Sequence, residues 1–174
     1  RHRTITSSLL AAPARIRFLA AKTLAFAAAG AALSLAISIA VAIIGYAVLE
    51  YRDLPVPEAG ELLEQWGRSA LLAALLGAIG VALGSLIRNQ PTAIVTVLVL
   101  MLVVDSTLAW LAPGVERYSP LGALSNAVAG YEPDEVGMND VDFLGFGPAL
   151  VLMLAWIAAL FAAGAALLRT RDVD

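Results

Sequence analysis

Cysteine is absent from the 174 residues, so disulfides, thiolate metal sites and cysteine nucleophiles are excluded. Histidine occurs once, as His2 between two arginines, with no second imidazole or adjacent carboxylate to share a metal. It reads as a solvated terminal residue. Lysine also occurs once, as Lys22, and the formal net charge is −3, which leaves no concentrated basic face for nucleic-acid phosphates. There is no GxxxxGK[ST] nucleotide loop, no plausible catalytic triad, no metal cluster and no pair of carboxylates set up for acid–base work. The sequence therefore carries no enzyme chemistry of its own, and no cofactor is expected on it.

Charge itself is scarce. Only 14% of residues are charged while 60% are hydrophobic, and the mean hydropathy is +0.85, far from the balance of a soluble domain this size. The charges cluster and leave long uncharged tracts that a water-facing surface would not tolerate. Residues 23–49 hold no charge and, at about 1.5 Å per helical residue, would reach roughly 40 Å, enough to cross a bilayer with tilt. Further spans are expected at about residues 69–87, 92–111 and 143–168. The fold class is thus an all-α membrane protein, one transmembrane domain with about four spans.

The connections are set by the helix breakers. Pro55 and Pro57 stop the first helix, and the acidic stretch over residues 50–68 becomes a loop that holds a short surface helix near Glu58 to Trp66. Arg88, Asn89, Gln90 and Pro91 make a tight turn. Residues 112–142 form a second loop in which Ser119 is expected to cap, and Pro120 to open, a helix over residues 121–129. That helix is too short to cross the membrane, so it is expected to be half-inserted or interfacial. Arg1, Arg3, Arg15, Arg17, Lys22, Arg88, Arg169 and Arg171 fall on one side if four spans alternate, against Arg52, Arg68 and Arg117 on the other. Cytoplasmic loops carry the excess of basic residues, so both ends of the chain are expected inside the cell and the loops 50–68 and 112–142 outside.

Three features carry functional expectation. Residues 1–22 form a basic segment split by Pro13, with Ile5, Leu9 and Leu10 on one side of a helix that opens near Thr4. As physics alone this is either an interfacial anchor held at anionic headgroups or a docking element. Gly77, Gly80 and Gly84 stand at close-packing intervals on the second span, as do Gly30, Ser34 and Ser38 on the first, and such residues let helix backbones approach. Asp105 interrupts an apolar run, where an unpaired carboxylate facing lipid costs about 2.5–3.5 kcal/mol. It is expected to face protein or a water-filled vestibule, near Ser106, Thr107 or Ser125, or paired with Arg117.

The run Thr4 to Pro13 followed by Arg15, Arg17 and Lys22 resembles the coupling segment of type-2 ABC transporter permeases. Gly80-Val81-Ala82-Leu83-Gly84-Ser85-Leu86-Ile87-Arg88-Asn89-Gln90 is similar to the family's junction between its fourth and fifth helices. Leu111-Ala112-Pro113-Gly114 with Tyr118-Ser119-Pro120-Leu121-Gly122-Ala123-Leu124 resembles the short re-entrant helices before the last span. Arg3 and Ala12 depart from the pattern, where a glycine and a hydroxyl residue are common. The resemblance implies an ABC exporter subunit of the plasma membrane, with Thr4, Ile5, Leu9, Leu10, Pro13, Arg15 and Arg17 contacting a separate ATP-binding subunit. ATP and Mg would be held by that subunit, and a second permease subunit would complete a homo- or heterodimer in membrane lipid. It also implies two further helices upstream of Arg1, consistent with a chain that lacks an initiator Met. Two readings from other classes stand beside it: a non-transporting membrane scaffold or assembly subunit, and a proton-coupled carrier using Asp105.

Overall fold

In the computed structural model, residues 15–87 and 89–170 are described. Every regular element among them is helical. The order is α1 (Arg15–Tyr51), α2 (Ala59–Leu86), α3 (Gln90–Val99), a π turn (Leu100–Val104), α4 (Asp105–Leu111), α5 (Pro113–Glu116), α6 (Ala123–Ala129) and α7 (Phe146–Thr170). Four helical stretches are long and apolar enough to cross a membrane: Arg17–Tyr51, Ala59–Leu86, Pro91–Leu111 and Phe146–Leu167. The coupling residues Thr4, Ile5, Leu9, Leu10 and Pro13 lie outside the described residues. Arg15 opens α1, and Arg17 on its first turn is exposed.

The second span begins earlier than its hydrophobicity implies. The short surface helix expected near Glu58 to Trp66 is instead the first part of α2, which runs unbroken through Gly67. A lone glycine weakens a helix by only about 1 kcal/mol. The Glu64–Arg68 ion pair, at 2.6 Å across one turn, spans the joint.

The core is small and lies where α2, α6 and α7 meet. Leu75 and Ile79 from α2, Leu124 and Val128 from α6, and Ala149 and Met153 from α7 form one buried cluster. Gly130 ends α6 in the left-handed region at φ 85°, and its backbone closes on Arg68, which stacks 5.1 Å from the Phe146 ring centre. At the other end of the pair α2/α7, Gly164 lies so close to Ser85 Oγ that a Cβ there would overlap it. Between α1 and α2 the close approach is made by Gly30 and Gly77, where an added Cβ would come within 2.6 Å of Ala73 O and 2.8 Å of Phe26 O respectively.

Gly80 and Gly84 do not share in that packing. A Cβ at either would meet nothing within 4 Å among the described residues, and both border an apolar cleft of about 290 Å³ facing Ala93, Ile94, Val97 and Leu98 of α3. The rest of the molecule wears its hydrophobicity outside. Leu33, Ile43 and Ile44 of α1 and Leu102 and Val103 of the third span are each more than half exposed. A helix apolar on every side is stable only where lipid or another chain covers it.

Candidate functional site

The third span leaves most of its side chains exposed, and among its described residues Asp105 alone is buried. The π turn helps to place it. Its last bond runs from the Asp105 N–H to the Leu100 carbonyl, five residues back, so the helix widens by one residue and rotates the residues beyond it. Asp105 consequently points back into the bundle while Leu102 and Val103 face out.

The chain then folds back on itself. Ala112, at φ −147° and ψ 63°, ends α4, and Pro113 starts the single turn of α5 in the first helical position, where its missing N–H costs nothing. This turn leaves Val115 more than half exposed on the rim of an apolar cavity and sends Glu116 inward, where it is completely buried. Ser119 comes next in the loop, and its hydroxyl donates to Asp105 Oδ1 at 2.6 Å. The expected capping role is therefore not taken by Ser119 Oγ. Pro120 to Gly122 form a turn, and α6 begins at Ala123 instead of residue 121. Gly122 makes room for Glu116: a Cβ there would overlap Glu116 Oε1, while Asp105 Cγ, at 3.5 Å, would be an ordinary contact. The segment is pinned to the last span by Trp156, whose indole N–H donates to the Tyr118 carbonyl at 3.0 Å.

The cluster is short of partners. Asp105 Oδ2 and both oxygens of Glu116 are buried without a hydrogen bond. None of the described ion pairs reaches either acid; Arg117, an expected partner of Asp105, pairs with Asp142 at 3.5 Å. Burial, and then the neighbouring Asp105 charge, push the Glu116 carboxyl up to about 7. The Ala123 N–H offsets part of this, at a geometry short of a well-formed hydrogen bond.

Beside the acids lies an apolar cavity of about 350 Å³, walled by Ile79 and Leu83 of α2, Leu108 of α4, and Trp156 and Leu160 of α7, with Asp105, Tyr118 and Ser119 also on its surface. Among the described residues no group of three or more His, Cys, Asp or Glu could hold a metal ion. Asp105 was legible in the sequence as an acid inside a hydrophobic run. Glu116 was not, since it sits among loop acids and only the one-turn helix after Pro113 turns it inward.

Together these elements define an all-helical protein with four helices long and apolar enough to cross a membrane and a buried acidic pair, Asp105 and Glu116. Comparison adds no relative: no family model matches the chain, nor does any curated protein or solved structure.

Proposed function

We propose that this chain is the transmembrane permease subunit of an ATP-driven ABC exporter in the plasma membrane, with both of its ends in the cytoplasm. It would form the substrate pathway with a second permease subunit and take its energy from a separate ATP-binding subunit. The observation that carries this reading is the fold-back between the third and fourth spans. Leu124 and Val128 of α6 are fully buried against α2 and α7, and Tyr118 is bonded to Trp156 well within α7. A pair of short helices returning into the bundle before the last span is what the motifs at Leu111 to Leu124 imply by resemblance. The exposed apolar faces of α1 and the third span further support it, since they leave surface for lipid and for a second subunit.

The coupling role is assigned by resemblance to Thr4, Ile5, Leu9, Leu10, Pro13, Arg15 and Arg17. The test is isolation of the native protein from its own membrane. An ATP-binding subunit should co-purify, and a Leu9→Asp substitution should weaken that association and lower the stimulated hydrolysis by placing a charge in an apolar docking surface. Purification without any ATPase would point to the scaffold reading, in which the helices only pack and the acidic loop binds a partner.

A further inference from the structure

We propose that the cavity beside Asp105 binds a lipophilic monocation, an amine or quaternary onium whose charge rests against the Asp105 carboxylate while its apolar body fills the space between α2, α4 and α7. The inference stands on the cavity and holds whether the chain is a permease or a scaffold.

The walls decide the ligand class. At about 350 Å³ the cavity falls in the range of small-molecule sites, roughly 300–1,000 Å³. Its lining is almost wholly hydrocarbon and aromatic, so water or a hydrated ion gains little there. The one ionisable carboxyl on its surface is Asp105, which is 8% exposed and holds Oδ2 without a partner. Anions are disfavoured by Asp105, the acid on the cavity surface. A divalent metal is disfavoured as well, because it demands about six oxygen ligands and the cavity offers a carboxylate and a hydroxyl against hydrocarbon. A lipophilic cation satisfies both halves, and the Trp156 ring adds an aromatic surface that favours positive charge.

The charged groups around the site agree. Glu116 stands behind Asp105 on α5, and Arg117 is directed to Asp142 and to the Tyr118 ring, 5.6 Å from its centre, without an ion pair to Asp105. Glu116, pushed up to about 7, does not line the cavity, so Asp105 is the acid there that a single positive charge would meet.

The probes are methyltriphenylphosphonium and its shape-matched anion methyltriphenylborate, measured by equilibrium binding to the purified full chain in detergent. The phosphonium should bind saturably and the borate should not. Asp105→Asn should weaken phosphonium binding by about tenfold or more, the loss of a charge-assisted contact, whereas Glu116→Gln should leave it within about threefold because Glu116 does not line the cavity. Leu108→Trp should abolish binding by filling the cavity with both acids intact, and it decides the matter if Asp105→Asn fails to fold. Equal binding of the two probes, or full phosphonium binding by a folded Leu108→Trp or Asp105→Asn variant, overturns the proposal.

Discussion

Glu116 combines complete burial with two unpartnered oxygens, so its protonation is tied to folding. Its folded pKa of about 7 lies above the ordinary 4.5, so the folded state holds the proton more tightly than the unfolded state does. The stability this provides is fully present below pH 4.5 and is lost as pH rises through about 7. The gap corresponds to roughly 3 kcal/mol. Thermal unfolding in detergent should therefore show stability falling between those values, and Glu116→Gln should flatten the profile; an unchanged slope in that variant would assign the pH dependence elsewhere. Gly122→Ala presses on the same carboxyl. It should destabilise by about 1–3 kcal/mol, as overpacking does, and most of that loss should vanish when Glu116→Ala is added. A double-mutant cycle measures the coupling. At this scale the sequence revealed half of the pair: Asp105 stands out against its hydrophobic neighbours, while Glu116 differs from the loop acids only through the backbone path that Ala112 and Pro113 impose.

Among the elements, periodicity located the helical faces better than the contacts. Gly77, Gly80 and Gly84 lie within roughly 60° of one another around α2, at 3.6 residues per turn. Only Gly77 meets α1, opposite Phe26, and Gly30 makes the reciprocal approach to Ala73. Spacing along one helix fixes a face, but the level at which a second helix crosses depends on both partners. Replacing Gly77 or Gly30 by Leu should thus separate α1 from α2 and lower the melting temperature of the isolated chain. Gly80→Leu and Gly84→Leu project into the open cleft toward α3 and should leave that temperature nearly unchanged. If a second subunit occupies the cleft, size-exclusion chromatography should show these two variants altering assembly instead. The π turn was equally hidden, because every residue from Leu98 to Val104 is apolar and nothing in such a run marks a change of helical pitch. The third and fourth spans were readable to within about three residues at their starts, but the first two begin earlier than hydropathy implies, at Arg17 instead of residue 23 and at Ala59 instead of residue 69. The polar and charged first turns of both helices are invisible to hydropathy, and those of α2 are held helical by Glu64 and Arg68.

For the whole molecule, the alternation of four spans makes a claim that does not depend on any packing detail. If all four helices cross a bilayer in alternation, positions 61 and 134 share a side and position 88 lies on the opposite one. The distribution of Arg and Lys adds the direction. Arg15, Arg17, Lys22, Arg88 and Arg169 fall with the chain ends, whereas Arg52, Arg68 and Arg117 fall with the acidic loops, and Arg68 and Arg117 are engaged by Glu64 and Asp142. Basic excess marks the cytoplasmic side. The chain contains no native cysteine, so single cysteines at positions 61, 88 and 134 can be labelled without background. An impermeant maleimide should modify positions 61 and 134 in intact cells and position 88 only after permeabilisation. Labelling of 61 and 134 from opposite sides would remove one of the spans. A consistent pattern in the inverted sense would keep all of them but carry Arg15 and Arg17 away from the cytoplasm, where an ATP-binding subunit must reach them. The helical membrane fold would survive that result, while the exporter reading would not, because a coupling segment on the wrong face cannot receive work from ATP.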